Sequence, residues 1–476
     1  MKRLIPILAM FLMFASCDDL LNVEPKSIVT TANMWQDQGD AQGAMNGMYR
    51  QFRQTMNQTF FWGEARTGLY THGVSLGDTE LFQNRVNPGS EGADWTHPYR
   101  TINDANLILK YVPKIDFTSD VQKNNIMANA YFVRAYCYYM IVRLWGDAPL
   151  LLDGFESAKQ EGLFPSRTPA AQIYEQIEDD LYRALDLVPA NASDIFFATP
   201  AGIQMLMADY HLWMAKTRNG GQDHLIAART AVDAVLQDGY QLVGDYEQVF
   251  RNDANPEIIF SIMFERDSGP GNFMAPLFLL PIQNVPPHLR YNPIPFGGNT
   301  QRYAMTEEAE AFLYEKEYDS RAMVNFAVYE FDNIVYRFVA KYLGEFTDGT
   351  FFSTSDLKLY RLGEALMFKA EIENELGNQT VALGYINQIA ERAYGQADYY
   401  TGAFSKEELD EIILEERMKE FPCEGKTWFD LIRFDKSFEK IWSLQGRENE
   451  EGVLLWPLSF ESLNRNRNLT QNPGYQ

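Results

Sequence analysis

The sequence is short of cysteine, histidine and basic side chains. It has 3 cysteines and 5 histidines in 476 residues, and 65 acidic against 41 basic residues give a formal net charge of −24. Such a surface repels nucleic-acid phosphates, so nucleic acid is excluded as a partner. Besides Cys17 there are only Cys137 and Cys423. Two thiols make no disulfide framework, and we expect both to be free.

Long apolar runs are also missing beyond the N-terminus. At the start, the basic pair Lys2–Arg3 precedes an uninterrupted apolar run that ends at Phe14, and small residues lead to Cys17. This order is typical of a secretory signal and is too short for a permanent membrane span. We predict that residues 1–16 are a lipoprotein signal peptide and that Cys17 is acylated. Phe14 stands where Leu is commonest, which leaves a cleaved signal with an incidental cysteine as the alternative.

Catalytic motifs are scarce as well. Gly73–Gly77 matches the nucleophile-elbow pattern, but that chemistry needs a strand before the serine and a helix after it. No two histidines have the helical spacing of a zinc pair. Four glutamates lie in one acidic segment, where a solvated helix face is favoured over a catalytic carboxylate pair. They are Glu415, Glu416, Glu420 and Glu424. We therefore predict no enzyme, metal or cofactor; acidic loops are compatible with a structural calcium, which is not predicted.

Amphipathic helices dominate the rest of the chain. Apolar residues recur at three- and four-residue steps from Ile173 onwards, and another helix is predicted from Asn124 to Trp145. Helices then come in pairs around tight polar turns, near 201–217 with 222–238 and near 355–376 with 379–393. Pairs of this length resemble tetratricopeptide-type hairpins, although the repeat signal leaves an irregular bundle open. Only residues 257–264 are predicted to form a strand.

Two long irregular stretches separate these helices, at residues 57–93 and 266–305. Loops of this length are usually functional or disordered, and their aromatic content argues against disorder. Exposed aromatic faces suit the binding of sugar rings or of peptide side chains.

The last third of the chain, residues 355–476, carries a series of ordered motifs. They are Leu359–Glu371, Glu415–Phe421, Glu424–Arg433, Trp456–Leu458, Asn468–Thr470 and Gln471–Tyr475. The series resembles the C-terminal signature of the SusD/RagB family of outer-membrane nutrient-binding lipoproteins. The N-terminal half agrees through Trp95, Tyr99, Ile102, Asn103 and Asn106, and through Phe132–Tyr136 and Leu144–Leu150. There are departures: Lys426 replaces the usual Arg, and Trp456–Leu458 replaces an apolar-Pro-Ile-Pro run.

The resemblance implies a mainly α fold with minor β structure. About four tetratricopeptide-like helical pairs would form a scaffold, with an irregular, loop-rich ligand-binding part packed against it, all in one domain over residues 17–476. Arg417, Glu420, Asp430 and Arg433 would form an architectural polar network. It also implies a cell-surface protein, anchored in the outer membrane by lipid at Cys17, which delivers an oligosaccharide to a SusC-like TonB-dependent transporter.

The ligand residues are predicted from the two long loops. They are Trp62, Tyr70, Asn84, Arg85, Tyr291, Phe296 and Tyr303. Packing of each aromatic onto the scaffold is the alternative. One branch of the family is linked to peptide uptake, so a peptide ligand is the second hypothesis and a glycan-active hydrolase the third.

Overall fold

The computed structural model describes residues 34–266, 271–297, 300–347 and 349–475. The signal peptide and Cys17 lie outside the described residues. Within these ranges, no helix has the length and apolar character needed to cross a membrane. Cys137 and Cys423 are buried and free, as expected.

Helices make up most of the described structure. The long ones are α1 (Gln38–Met56), α4 (Thr96–Tyr111), α5 (Asp120–Trp145), α6 (Ala170–Leu187), α7 (Pro200–Thr217), α8 (Gly221–Leu236), α13 (Leu362–Glu375), α14 (Gln379–Tyr394) and α15 (Lys406–Glu420). The short ones are α2 (Thr59–Gly63), α3 (Thr79–Phe82), α9 (Gln248–Arg251), α10 (Met274–Phe278), α11 (Glu307–Leu313), α12 (Ala322–Asn325), α16 (Thr427–Arg433), α17 (Ser437–Lys440) and α18 (Phe460–Arg465). Two 3₁₀ turns cover Val112–Lys114 and Ile282–Asn284.

Eight of the long helices pack in succession. The order of contact is α1, α4, α5, α6, α7, α8, α13 and α14, while α15 packs on α13 and α14. Each helix turns an apolar stripe towards its neighbours, so that one main hydrophobic core runs through the array. This arrangement of about four helical pairs confirms the predicted mainly α, tetratricopeptide-like fold.

The strands are short and form four antiparallel pairs. They are β1 (Tyr70–His72) with β3 (Tyr303–Met305), β2 (Ile258–Ile262) with β8 (Leu357–Arg361), β4 (Ala327–Phe331) with β5 (Ile334–Phe338), and β6 (Glu345–Thr347) with β7 (Thr350–Phe352). The predicted strand at 257–264 is therefore confirmed as β2. The helix predicted from 355 starts only at Leu362, because the residues before it pair with β2.

A buried polar network joins β8 to the last helices of the array. Arg361 contacts Glu257 at 2.9 Å, Glu420 at 2.5 Å and Glu424 at 2.9 Å, and all four side chains are buried. Arg417 likewise forms a pair with Asp430 at 2.8 Å, which confirms the predicted architectural role.

The expectation of a solvated face for the acidic segment is wrong for three of its four glutamates. Glu416, Glu420 and Glu424 are buried, and only Glu415 is exposed. Arg321 lies 2.7 Å from Glu416, and Lys341 lies close to Glu424. Each buried carboxylate therefore has a cation supplied by a distant part of the chain, which offsets the cost of burying its charge.

Candidate functional site

The two long loops predicted to carry the ligand site meet in the structure. Strand β1 lies in the first loop and pairs with β3 in the second, with Tyr70 opposite Met305. The contact continues beyond the strands, where the backbone N–H of Gly73 donates to the carbonyl of Arg302 at 3.0 Å. The loops thus form a single region, although the strand pair itself buries much of their aromatic surface.

Three of the predicted ligand aromatics are interior residues. Trp62 is only 1% exposed, and its indole N–H donates to the carbonyl of Gly92 at 2.8 Å. The Tyr70 hydroxyl donates to Glu64 at 3.0 Å, and Tyr303 is also buried. These side chains hold the loops on the helical array, and in this structure they present no face to a ligand. Their prediction as ligand residues is corrected accordingly.

The other four predicted residues divide into two buried and two accessible ones. Asn84 is buried, and its amide donates to the hydroxyl of Ser443 at 2.9 Å; Phe296 is buried in a small separate core. Tyr291 is half-buried and stacks on Phe346 with ring centroids 3.9 Å apart. Arg85 is exposed and borders a depression of about 390 Å³. Of the seven predicted ligand residues, Arg85 and Tyr291 are therefore the two that keep surface that a ligand can contact.

A larger cavity, of about 610 Å³, opens elsewhere on the molecule. It lies between the N-terminal half of α4, the loop over residues 149–165 and helix α18. Its aromatic lining comprises Trp95, Tyr99, Phe155 and Phe164. Phe164 is 47% exposed, so much of this side chain is open to solvent where it borders the cavity.

Of the four charged side chains that line this cavity, two lie one helical turn apart and two, Glu156 and Arg465, are engaged in ion pairs. Arg100 and Asp104 both lie on α4, and neither forms an ion pair with any residue that the structure describes. Burial raises the pKa of Asp104 to about 6. A carboxylate and a guanidinium beside aromatic faces form a donor and acceptor set that suits sugar hydroxyls.

Neighbouring polar groups hold the cavity wall in place. The Asn103 side chain accepts from the backbone N–H of Phe155 at 2.7 Å and donates to the carbonyl of the same residue at 3.0 Å. The Tyr99 hydroxyl donates to the carbonyl of Pro149 at 2.8 Å. The side chains of α4 therefore fix the loop that supplies Phe155 to the cavity.

Sequence reasoning missed this cavity. In the sequence, Trp95 and Tyr99 stand out only as part of the family resemblance, but their helix also presents Arg100 and Asp104 to the cavity. The rest of the lining comes from distant segments, since Pro165 and Asn466, which meet at the cavity, are 301 residues apart in the chain. The one sequence feature that could have indicated the cavity is the loop over residues 149–165, which carries the apolar Phe164.

The serine motif at Gly73–Gly77 lacks the geometry of a nucleophile elbow. Ser75 follows the three-residue strand β1 and lies in a loop, and β1 belongs to an antiparallel pair. An elbow requires a serine exposed between a strand of a parallel sheet and a helix.

Comparison with known proteins decides the family. The SusD family model matches residues 299–453, and a second model, described as starch-binding and associating with the outer membrane, matches residues 20–201. The chain belongs to the SusD-like family. This SusD-like protein is 26% identical to SusD-like protein P38 of Formosa agariphila, over 97% of this chain and 96% of that one.

Further relatives agree with this assignment. The starch-binding protein SusD of Bacteroides thetaiotaomicron is 30% identical over 129 residues, which span 26% of this chain and 22% of SusD. Among solved structures, B. fragilis NanU superposes with a TM-score of 0.80 at 25% identity, over 95% of this chain and 100% of that chain. A SusD superfamily protein from Bacteroides fragilis gives a TM-score of 0.80 at 24% identity over 93% of this chain and all of that one. The SusD-like fold thus covers nearly the whole chain.

Proposed function

We propose that this SusD-like protein is a lipoprotein of the outer membrane that binds an oligosaccharide and delivers it to a TonB-dependent transporter. The family description links its members to starch binding and to the outer membrane. The predicted signal peptide over residues 1–16, followed directly by Cys17, supports lipid anchoring. The protein acts in this proposal by binding its ligand without converting it.

The open cavity beside α4 carries the proposal for the ligand. Phe155 and Phe164 keep accessible apolar surface for sugar rings, whereas Trp95 is buried behind them. Arg100 and Asp104 offer hydrogen bonds to hydroxyl groups. A volume of about 610 Å³ accommodates a short oligosaccharide segment. Arg85 and Tyr291, which keep accessible surface on the two loops, are proposed as secondary contacts.

Calorimetric titration tests the ligand class. Starch fragments, other plant and microbial oligosaccharides, and mixed oligopeptides are titrated separately into the purified protein. We expect an oligosaccharide to bind. Binding of peptides alone would replace the glycan by the peptide hypothesis, and release of new reducing ends from a polysaccharide would overturn a pure binding role.

Matched variants locate the site. Phe164→Ala removes an exposed ring at the cavity mouth, and we expect it to weaken oligosaccharide binding by about 1–3 kcal/mol, the range typical of a hot-spot aromatic. The control is Trp442→Ala, because Trp442 is the one mostly exposed tryptophan among the eight, at 56%, and it lies beside Gly68, away from the cavity lining. A loss of affinity in Trp442→Ala with none in Phe164→Ala would move the site to the loop region.

A further inference from the structure

Three successive helices bring two histidines and a glutamate together at one place. Glu178 lies on α6, His211 on α7 and His224 on α8. One ligand atom from each lies within 4.8 Å of the others. We propose that these three side chains bind a divalent transition-metal ion of the zinc type, and that the ion fastens the three helices to one another.

The contact between the imidazoles is the first argument. The Nδ1 atoms of His211 and His224 lie 2.8 Å apart, with ring centroids 5.1 Å apart. Two neutral nitrogen lone pairs at this distance repel each other, so a proton or a cation has to lie between them. Zn–N bonds of about 2.0–2.1 Å in tetrahedral geometry put two nitrogens about 3.3 Å apart. The two Nδ1 atoms therefore need to move apart by only about 0.5 Å to admit the ion.

The second argument is an unpartnered buried atom. His211 is only 2% exposed, and its Nε2 has no hydrogen-bond partner among the described residues. Whichever histidine donates the hydrogen bond between the two Nδ1 atoms, this Nε2 is left as an orphan donor or acceptor. The His211 ring therefore has no described hydrogen-bond partner other than His224, and an ion that binds this ring displaces no further hydrogen bond.

The turn before α8 provides the space for the second ring. A Cβ atom on Gly220 would lie 2.4 Å from Cδ2 of His224, so any other residue here would displace the imidazole. Tyr210 packs against the other imidazole, that of His211, with the two ring centroids 5.1 Å apart. Both rings are therefore positioned by their surroundings.

The donor set selects the class of ion. Two imidazoles and one carboxylate suit zinc, whereas calcium and magnesium prefer oxygen ligands throughout. Glu178 is half-buried and forms no ion pair with any described residue, which leaves its carboxylate available. Three protein ligands leave a fourth position to water, and the ion would link consecutive helices of the array.

Metal titration of the purified full-length protein tests the proposal. After removal of metal with a chelator, ZnCl₂, CaCl₂ and MgCl₂ are titrated separately, and bound metal is counted by mass spectrometry. We expect one zinc per chain, a rise in melting temperature with zinc, and no comparable effect of calcium or magnesium. In His224→Gln and Glu178→Gln, zinc affinity should fall by about tenfold or more.

The matched control is His288→Gln, because His288 is exposed and lies outside the cluster. It should bind zinc as tightly as the parent. Equal zinc binding by the parent and either cluster variant would overturn the three-ligand site, as would the absence of zinc binding by the parent. Cobalt(II) absorption of the parent protein gives a measurement that needs no variant: bands of tetrahedral cobalt with nitrogen ligands support the site, and an octahedral spectrum contradicts it.

Discussion

Replacing Arg361 by methionine removes the central cation of the buried network. The guanidinium lies within 2.9 Å of carboxylates from Glu257, Glu420 and Glu424, and the side chain is 1% exposed. Methionine fills much of the same space, so the loss is mainly electrostatic. Removing one partner of a buried ion pair costs about 3–5 kcal/mol of unfolding free energy. We expect about 3–4 kcal/mol, because Arg392 remains beside two of the carboxylates.

Thermal and urea unfolding measure this loss. An unfolding entropy of about 2.1 cal/mol/K per residue gives about 1 kcal/mol/K for a chain of this length, so the melting temperature should fall by about 3–4 °C. The control is Arg183→Met, which breaks an ion pair with Asp179 at 2.8 Å on the protein surface. That change should cost less than about 0.5 kcal/mol.

The pH dependence separates electrostatics from packing. Burial alone would raise the pKa of Glu420, but Arg392, Arg361 and Arg321 outweigh it and hold this pKa well below its usual range. A depressed pKa stabilises the fold above the unfolded value of about 4.3 and loses that contribution as the pH falls below it. The difference in unfolding free energy between the parent and Arg361→Met should therefore be smaller at pH 3.5 than at pH 7. A difference that is the same at both pH values, or no difference at pH 7, would refute the reasoning.

Three further predictions concern single side chains. Trp62→Ala should destabilise the fold by about 3–5 kcal/mol in urea unfolding, because the indole is buried; unchanged stability would contradict its interior position. Burial raises the pKa of Asp104 to about 6, so the folded protein loses stability as the pH rises from about 4 to 6 and the carboxyl group ionises. Asp104→Asn should therefore raise the melting temperature more at pH 7.5 than at pH 5. An equal effect at both pH values would argue against this shift. Cys17→Ala should release the protein from the membrane fraction and abolish fatty-acid labelling, and retention of both would disprove acylation at this residue.

The helical array was predictable because helix periodicity is a local signal. The bounds predicted for the 201–217 and 222–238 pair differ from those of α7 and α8 by at most two residues. Strand β8 was missed because its leucines and tyrosine also fit the apolar stripe of the helix that follows. The hairpin of β4 and β5 was missed too, although Asp332 and Asn333 at its turn both have positive φ and are residue types that favour such turns.

The ligand residues were less predictable, since exposure depends on contacts between distant segments. Aromatic loops indicated accessible rings, yet the pairing of β1 with β3 turns Tyr70 and Tyr303 inward. Likewise, His211 and His224 have no metal-ligand spacing along one helix, because the two residues meet across the turn between α7 and α8. Composition gives the kinds of side chain present, whereas pairing between elements decides which of them face a ligand.

The buried network explains why charged residues recur in the C-terminal motifs. Glu420 lies at the end of α15 and Arg361 at the end of β8, and Glu257 directly precedes β2. Their ion pairs therefore tie the β2–β8 strand pair to the last helices of the array. Apolar residues of equal size could bury as much surface, but they would not require this particular pairing of elements. These ion pairs thus hold the strand pair and the last helices in register, and Arg361→Met tests that role directly.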